Sequence, residues 1–414
     1  MESKKITTKR NFIQIFQEEL SKSTLVIIVL SILTGFIIGG ILAAATTPKV
    51  YEAFDTSISA GIKESLELIW ETYSSLFIGS FGNPAKMVEA LISGDGATIR
   101  AAFKPFLESL VITTPYLYTG VAIALGFQAG VFNIGAEGQL FMGSIMAAWA
   151  GFAFKGLPPI VHVPLALGVG FLAGGLWGYI PGWLKAKTGA HEVINTIMMN
   201  YIAFNLTTYL VSGPFQDETQ SFKTPLIEES ARLYRFFEAP LRLHLGFVIA
   251  IAFAVLAWYV LFKTTWGYEL RSVGMNPHAS KYAGINSTMV TILAMTISGA
   301  ISGLGGASEM LGVNFRQTQS LSTGYGFDAI AIALLAKNHP LGVILTAMLF
   351  GFMRQGSRLM QLKTGIPIDI ISILQALIIF FISAPAIIRT IFRLKDPQQF
   401  VYKSELSESG EITK

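Results

Sequence analysis

Gly130-Val131-Phe132-Asn133-Ile134-Gly135-Ala136-Glu137-Gly138-Gln139 sets three glycines and three strongly polar side chains between two long apolar runs. The run before it covers 107–128 and the run after it reaches 154. Irregular backbone at membrane depth survives only where protein or a wet cavity covers it. A carboxylate such as Glu137 in that position must be paired, protonated or hydrogen-bonded. Two readings follow. One is a cavity wall whose helix-start amides and carboxamides meet a polar solute. The other is a tight turn stitched together by Asn133 and Gln139.

The composition agrees with a membrane setting. Of 414 residues, 52% are hydrophobic and 14% charged, where soluble domains carry roughly 25% charged residues. Forty glycines and thirty phenylalanines suit a helical bundle in which small residues let helices approach and bulky ones face lipid. A disordered chain and an ordinary soluble enzyme are both excluded. The net charge is +4, from 30 basic and 26 acidic residues that cluster in the gaps between apolar runs, so no nucleic-acid partner is indicated. With no cysteine there is no disulfide or thiolate chemistry, and the five histidines lie too far apart for a local metal motif.

A bilayer core takes roughly 20 apolar residues per helix. Apolar runs occur near 24–45, 107–128, 136–154, 161–183, 193–212, 243–262, 286–310, 326–354 and 366–388. The eighth is interrupted by Ala336-Lys337-Asn338-His339-Pro340 and reads as two segments, 326–336 and 341–360, with Lys337, Asn338 and His339 in the turn. The expectation is an all-α polytopic membrane protein with about ten spans and broken helices. The first run follows Lys4, Lys5, Lys9 and Arg10 and is too long for a cleaved leader. Residues 1–23 then lie in the cytoplasm ahead of a membrane domain at 24–390, and Lys185, Lys187, Lys263, Arg271, Lys281, Arg389, Arg393 and Lys395 fall on the same side. The tail 391–414 shares that side, so both termini are expected to be cytoplasmic.

The opposite side receives segments 46–106 and 213–242. In the first, Ile62, Leu66, Leu68, Ile69, Tyr73, Leu76 and Phe77 recur at three- and four-residue steps among glutamates, predicting an external amphipathic helix whose apolar face caps the bundle or, as the lesser alternative, meets a partner. A cut near 240 leaves five spans on each side, the parity of an inverted repeat. The third span opens with the polar stretch quoted above, and the eighth with Tyr325-Gly326-Phe327-Asp328.

Two further segments carry polar detail. Gly189-Ala190-His191-Glu192-Val193-Ile194-Asn195-Thr196-Ile197-Met198-Met199-Asn200 puts Thr196 and Asn200 on one helical face. Asn195 stands where a zinc protease would need its second histidine. Asn205 follows in a different phase. The connection 263–286 contains Asn276-Pro277, an N-cap followed by a favoured first helical residue, which predicts a short helix over 277–283 outside the membrane. It suits a docking element or a solvated connector.

Together, Gly-Val-Phe-Asn-Ile-Gly-Ala-Glu-Gly-Gln at 130–139, Glu-Val-Ile-x-Thr at 192–196, Arg-x-Val-Gly-x-Asn-Pro-x-Ala at 271–279 with Gly284-Ile285, and Gly-Phe-Asp-x-Ile-Ala-x-Ala-Leu-Leu at 326–335 resemble the permease subunits of bacterial ABC importers. The resemblance is to the nucleoside and simple-sugar branch of the branched-chain amino acid and ribose permease superfamily. It implies a type II importer architecture of two inverted five-helix halves in a bacterial plasma membrane. It also implies three partners: a second related permease, a cytoplasmic ATPase and an external binding lipoprotein. By that resemblance Arg271, Gly274, Asn276, Ala279 and Gly284 couple to the ATPase. Ser280 departs from relatives that carry a second alanine there.

No Gly-x-x-x-x-Gly-Lys-Ser/Thr phosphate loop occurs in the chain, so ATP and magnesium belong to the partner and no cofactor is expected here. A nucleoside path asks for amides, carboxylates and rings. Asn133, Glu137, Gln139, Asn195, Asn200 and Asp328 can supply the polar groups, and Phe132 and Phe327 stacking faces. The alternatives are an ABC permease for a simple sugar such as ribose and an ion-coupled nucleoside carrier, in which Glu137 or Asp328 would carry the coupling ion. An intramembrane enzyme lacks any catalytic motif within a span, so no catalytic residue is assigned.

Overall fold

The computed structural model describes residues 24–319 and 324–394, and among them the regular structure is helical, with only two isolated β-bridges. In chain order the helices are α1 (Thr24–Ala45), α2 (Pro48–Thr56), α3 (Ile58–Phe81), α4 (Pro84–Ser93), α5 (Gly96–Gln128), α6 (Ala136–Ala153), α7 (Pro159–Thr188) and α8 (Glu192–Ser212). They continue with α9 (Leu245–Lys263), α10 (Thr265–Met275), α11 (Pro277–Tyr282), α12 (Ser287–Glu309), α13 (Tyr325–Leu335), α14 (Pro340–Thr364), α15 (Asp369–Ser383) and α16 (Pro385–Ile391). The chain forms two compact units, one of Met1–Ile69 with Ile366–Lys414 and one of Trp70–Gly365.

Five helices, α1, α5, α7, α9 and α12, are each long and apolar enough to cross a membrane. The chain is a polytopic, all-helical membrane protein. The single span expected at 366–388 is broken: α15 and α16 meet at 90°. Pro385 has no amide hydrogen for the helix ladder and pushes Ala384 out of the helical region, to φ −118° and ψ 66°. In this smaller unit α1 packs on α15 and α16 through Ile27, Phe381 and Ile388.

Segment 46–106 is less of a loop than its charge suggests. It holds α2, α3 and α4, and α5 begins within it at Gly96, where the Asp95 side chain accepts from Thr98 N at 2.8 Å. Two hydroxyl and amide donors from Thr98 hold the exposed Asp95 carboxyl below its usual range. The apolar positions read on α3 are split, with Leu68 and Leu76 buried, Ile69 and Tyr73 half-buried and the rest exposed. Ile62, Leu66, Trp70 and Phe77 are exposed, Trp70 at 76%, while Thr72, Ser75, Leu76, Gly79 and Ser80 are buried. The small face wins because it lets backbones touch: Ser80 Oγ donates to Phe352 O on α14 at 2.6 Å, and a Cβ on Gly356 would lie 2.2 Å from Leu76 O.

The core of the larger unit is α5, α6 and α12. Every residue from Glu108 to Gly126 is buried in α5, and every residue from Ser298 to Glu309 in α12. Around α12 the backbones nearly touch. A Cβ on Gly174 or on Gly178 of α7 would lie 2.4 Å from a carbonyl oxygen of α12, and one on Gly143 of α6 would lie 2.1 Å from Gly303 O. Small residues at four-residue steps are what allow such crossings in lipid. Beyond α12 a π-helical turn, Met310–Asn314, pairs with segment 213–242 through Leu233 N to Leu311 O and Ile227 N to Phe315 O, both 2.9 Å. That segment is anchored to α5 by Arg242, whose Nε donates to Glu108 Oε2 at 3.0 Å, and the carboxylate raises the Arg242 pKa.

Gly303→Leu drives a side chain into α6 and α7 at once. It is expected to destabilise the detergent-solubilised protein by about 3 kcal/mol or more, read as a lower Tm. Leu172→Ala, on the exposed face of α7, should shift stability by no more than about 0.5 kcal/mol. An unchanged Tm for Gly303→Leu would show that the close crossing is dispensable.

Candidate functional site

Between α5 and α6 the chain turns at Gly130, whose φ of +70° suits glycine. Beyond it, Asn133 and Gln139 form a paired amide ring. Asn133 Nδ2 donates to Gln139 Oε1 at 2.8 Å, and Gln139 Nε2 donates back to Asn133 Oδ1 at 3.1 Å. Asn133 also donates to Ser298 Oγ of α12 at 2.8 Å and accepts from Gly135 N at 3.0 Å. Asn200 of α8 accepts from Gly138 N at 2.8 Å and donates to Ile134 O at 3.0 Å. All three carboxamides are buried. Their polar atoms are engaged within the chain, tying the loop to α12 and α8.

Glu137 is buried too. Its carboxylate accepts from Gly326 N at 2.5 Å, at the first turn of α13. Carboxylates are stabilised at a helix N-terminus by the exposed amides and the helix dipole. Only glycine fits at 326, since a Cβ there would lie 2.3 Å from Glu137 N. The two polar openings read from sequence, ahead of α6 and at the start of α13, thus meet in space. One turn on, Asp328 accepts from Tyr116 Oη of α5 at 2.6 Å, with Tyr325 edge-on to the Tyr116 ring at 5.0 Å. Phe327 is 45% exposed, whereas Phe132 is half-buried and stacks on Phe127 at 5.1 Å. Asn195 is half-buried, with its Nδ2 buried and without a hydrogen-bond partner.

The connection 263–286 is mostly helical. Thr264 caps α10, and Asn276 caps α11 by accepting from His278 N and Ala279 N, both at 3.0 Å, so the short helix predicted there is present. Gly274 of α10 presses on the Gln128–Gly130 turn: a Cβ on it would lie 2.2 Å from Gln128 O. The Arg271 guanidinium lies over the Phe262 ring at 5.0 Å, and Phe262 stacks on His339 at 5.3 Å. Lys337 and Asn338 form the expected turn, both with positive φ, and Asn338 O accepts from Gln128 Nε2 at 3.0 Å. Ala279 and Gly284 are exposed beside Met275 and Tyr282, the latter at 96%. Ser280 turns inward and donates to Asn276 O at 2.9 Å, so the departure from a second alanine falls on the buried side.

Comparison with known proteins decides what kind of component this is. Residues 106–383 match the family described as the permease component of the branched-chain amino acid transport system. The chain belongs to that permease family. It is 44% identical to the guanosine ABC transporter permease protein NupP of Bacillus subtilis, over 77% of this chain and 86% of the relative. It is 36% identical to the nucleoside ABC transporter permease protein NupB of Lactococcus lactis, over 68% and 79%. It is also 33% identical to the glucose ABC transporter permease protein TsgB13 of Haloferax volcanii, over 71% and 78%. No solved structure matches. A permease is a transport component, not an enzyme.

Several contacts of this permease lie outside any sequence pattern. Tyr116 is 212 residues from Asp328 and sits in an unbroken apolar helix. Ser298 is one of many small residues in α12, and its bonds to Asn133 and to Ala122 O distinguish it. Among the described residues no group of three His, Asp or Glu side chains is placed to hold a metal.

Glu137→Gln keeps the shape of the side chain but removes the charge that faces Gly326 N. A hydrogen bond to a charged group contributes about 1.5–3 kcal/mol. The variant is therefore expected to lose about 1 kcal/mol or more of stability, with faster amide exchange confined to the first turn of α13. Unchanged protection of Gly326 would remove the carboxylate from this role.

Proposed function

We propose that this chain is the translocating subunit of an ABC importer for nucleosides in a bacterial plasma membrane. The observation that carries the substrate class is the similarity to the guanosine and nucleoside permeases over most of the chain. A second related permease, a cytoplasmic ATPase that holds ATP and magnesium, and an external binding lipoprotein complete the assembly in this reading. Both termini lie in the cytoplasm, with 46–106 and 213–242 toward the outside and 263–286 inside.

The proposed architecture is ten segments in two inverted halves. In support, the pairing of helices in the larger unit repeats after a shift of five segments. The fourth and seventh segments, α7 and α12, form one tight pair, and their counterparts, α14 and α5, form another. The third against the seventh, α6 on α12, is matched by the eighth against the second, α13 on α5. The bond from Gly326 N to Glu137 joins the third and eighth segments at their openings.

In this reading α10 and α11 are the surface that meets the ATPase, with Arg271, Gly274, Asn276, Ala279 and Gly284 as its framework. Met275 and Tyr282 present exposed apolar side chains there. Movement of α10 passes to the turn at Gln128–Gly130 through Gly274, and thence to the loop that holds α8 and α13. Asp328, Phe327, Phe132 and Asn195 remain the solute-path candidates that are not fully enclosed. Asn133, Glu137, Gln139 and Asn200 act from behind, by shaping the wall.

A second reading rests on the glucose permease relative. A simple sugar such as ribose then replaces the nucleoside, with the same mechanism. Uptake of labelled uridine, adenosine, guanosine and ribose, with and without the gene, separates these readings. Repeating it after collapse of the proton gradient with ATP maintained tests the energy source. Nucleoside uptake should vanish on deletion and persist after collapse. Loss on collapse would make the protein an ion-coupled carrier, and a ribose-only defect would move the solute to the sugar class. Gly274→Val should abolish uptake while the protein still reaches the membrane, because its side chain would displace the Gln128 carbonyl.

A further inference from the structure

The helix α8 has an outward face unlike those of its neighbours. The exposed face of α7, which packs beside it, carries Leu172, Leu176 and Ile180, suited to lipid, with Tyr179 and Trp183 toward its end. Along α8 the exposed positions are Ile194, Met198, Tyr201, Ile202, Asn205 and Tyr209. At 100° per residue, Asn205 falls at the centre of that arc. It lies mid-helix, where hydrocarbon would surround it if this face met lipid. The Nδ2 of Asn205 makes one bond, to Tyr201 O at 2.7 Å. A carboxamide has a second donor and an acceptor, and an unsatisfied polar group in hydrocarbon costs several kcal/mol. Lipid is therefore the wrong neighbour for the middle of this face.

Tyr201 and Tyr209 stand one turn before and one turn after Asn205, about 6 Å away along the axis in each direction. They are 59% and 64% exposed. The Tyr201 ring is braced from behind by Phe204, edge-on at 6.2 Å, and Phe204 by Phe141 of α6 at 4.8 Å. Beside Tyr201, Asn200 carries the bonds to Gly138 N and Ile134 O, so the conspicuous loop at 130–139 sets the position of this face. A ring, an amide and a second ring along one helix face complement a solute that has a flat π-face at one end and several hydroxyls at the other. Base-on-aromatic stacking is indifferent to which base is present, and the amide can serve a sugar hydroxyl or a base edge.

Resting on the nucleoside reading above, we propose that the Tyr201–Asn205–Tyr209 face of α8 is the wall of the translocation path that contacts the nucleoside directly. The second permease subunit lies across the path rather than against Asn205.

The absence of cysteine from the chain makes the test direct. Met198→Cys, Asn205→Cys and, as the lipid-facing control, Leu176→Cys are each made in the full transporter and treated in cells with a hydrophilic thiol reagent. Labelling is read on this subunit. Asn205→Cys should react, Leu176→Cys should not, and guanosine, adenosine or uridine should slow the reaction at 205. In parallel, Asn205→Leu should raise the KM for nucleoside uptake about tenfold, the loss of one hydrogen bond of about 1.4 kcal/mol, with the subunits still co-purifying. Tyr201→Ala should do so by a similar factor.

Silence at 205 in a transporter that carries nucleosides would overturn the proposal, as would labelling that no nucleoside slows. Dissociation of the subunits in Asn205→Leu would overturn it in favour of a subunit contact. If the wild type takes up only a sugar, and only that sugar protects 205, the nucleoside reading fails while the assignment of α8 to the path stands.

Discussion

The backbones of α7 and α12 approach until no side chain fits between them. Gly170, Gly174 and Gly178 on one helix face Gly299 and Gly303 on the other, with a virtual Cβ on Gly299 only 2.4 Å from Gly174 O. Lipid tails are as apolar as leucine, so helices in a bilayer gain little from merely hiding apolar surface. Association then rests on close van der Waals contact and on hydrogen bonds between helices. Glycine at every fourth position supplies the first of these over three turns. The contact extends to α6, where Gly143 meets Gly303 and Gly306 lies under Leu140 O. Because α12 is placed so closely, Ser298 arrives where Asn133 needs a partner, and Ser298 in turn donates to Ala122 O of α5 at 2.7 Å. The polar loop at 130–139 is therefore held by four helices whose spacing is set by glycines.

Apolar run length was a sound guide to where helices form. Each of the ten apolar runs is helical, and the polar stretch Lys337-Asn338-His339 makes the turn that its residues imply. The apolar periodicity of α3 tracks its burial only in part. Periodicity locates an apolar face, but the inference that this face points inward assumes water outside. On α3 the buried side is Leu68, Thr72, Ser75, Leu76, Gly79 and Ser80, where the Ser80 hydroxyl donates to a carbonyl of α14 and the absence of a side chain at Gly79 permits close contact with that helix. Ile62, Leu66, Trp70 and Phe77 are left facing out. The start of α5 was hidden for a related reason: Arg100 and Lys104 remove residues 96–106 from any apolar window yet do not interrupt a helix capped by Asp95.

The motif at 130–139 was legible as a place where something polar must be covered, but its sequence did not say by what. Asn133, Gln139 and Asn200 each have donors and acceptors that match backbone and one another, and at membrane depth that internal satisfaction has first claim on them. Glu137 meets an amide 189 residues away, a pairing that no local pattern announces. Asn205 shows the opposite case. It sits in an ordinary apolar run with no glycine near it, and only its exposure in the folded helix marks it. The conspicuous polar string is thus satisfied within the chain, whereas Asn205 keeps polar atoms to spare.

The loop also joins events at the two ends of the proposed cycle. Gly274 touches the turn at Gln128–Gly130 with no slack, so α10 cannot shift toward α5 without moving that turn or being stopped by it. The same loop holds Asn200 of α8 on one side and Gly326 of α13 on the other. In the proposed cycle an ATPase pressing on α10 and a nucleoside resting on α8 would act on one short piece of backbone. Binding free energies at two linked sites are reciprocal. If a change of α10 alters the affinity of the α8 face for solute by some factor, occupancy of that face alters the affinity of α10 for its ATPase partner by the same factor.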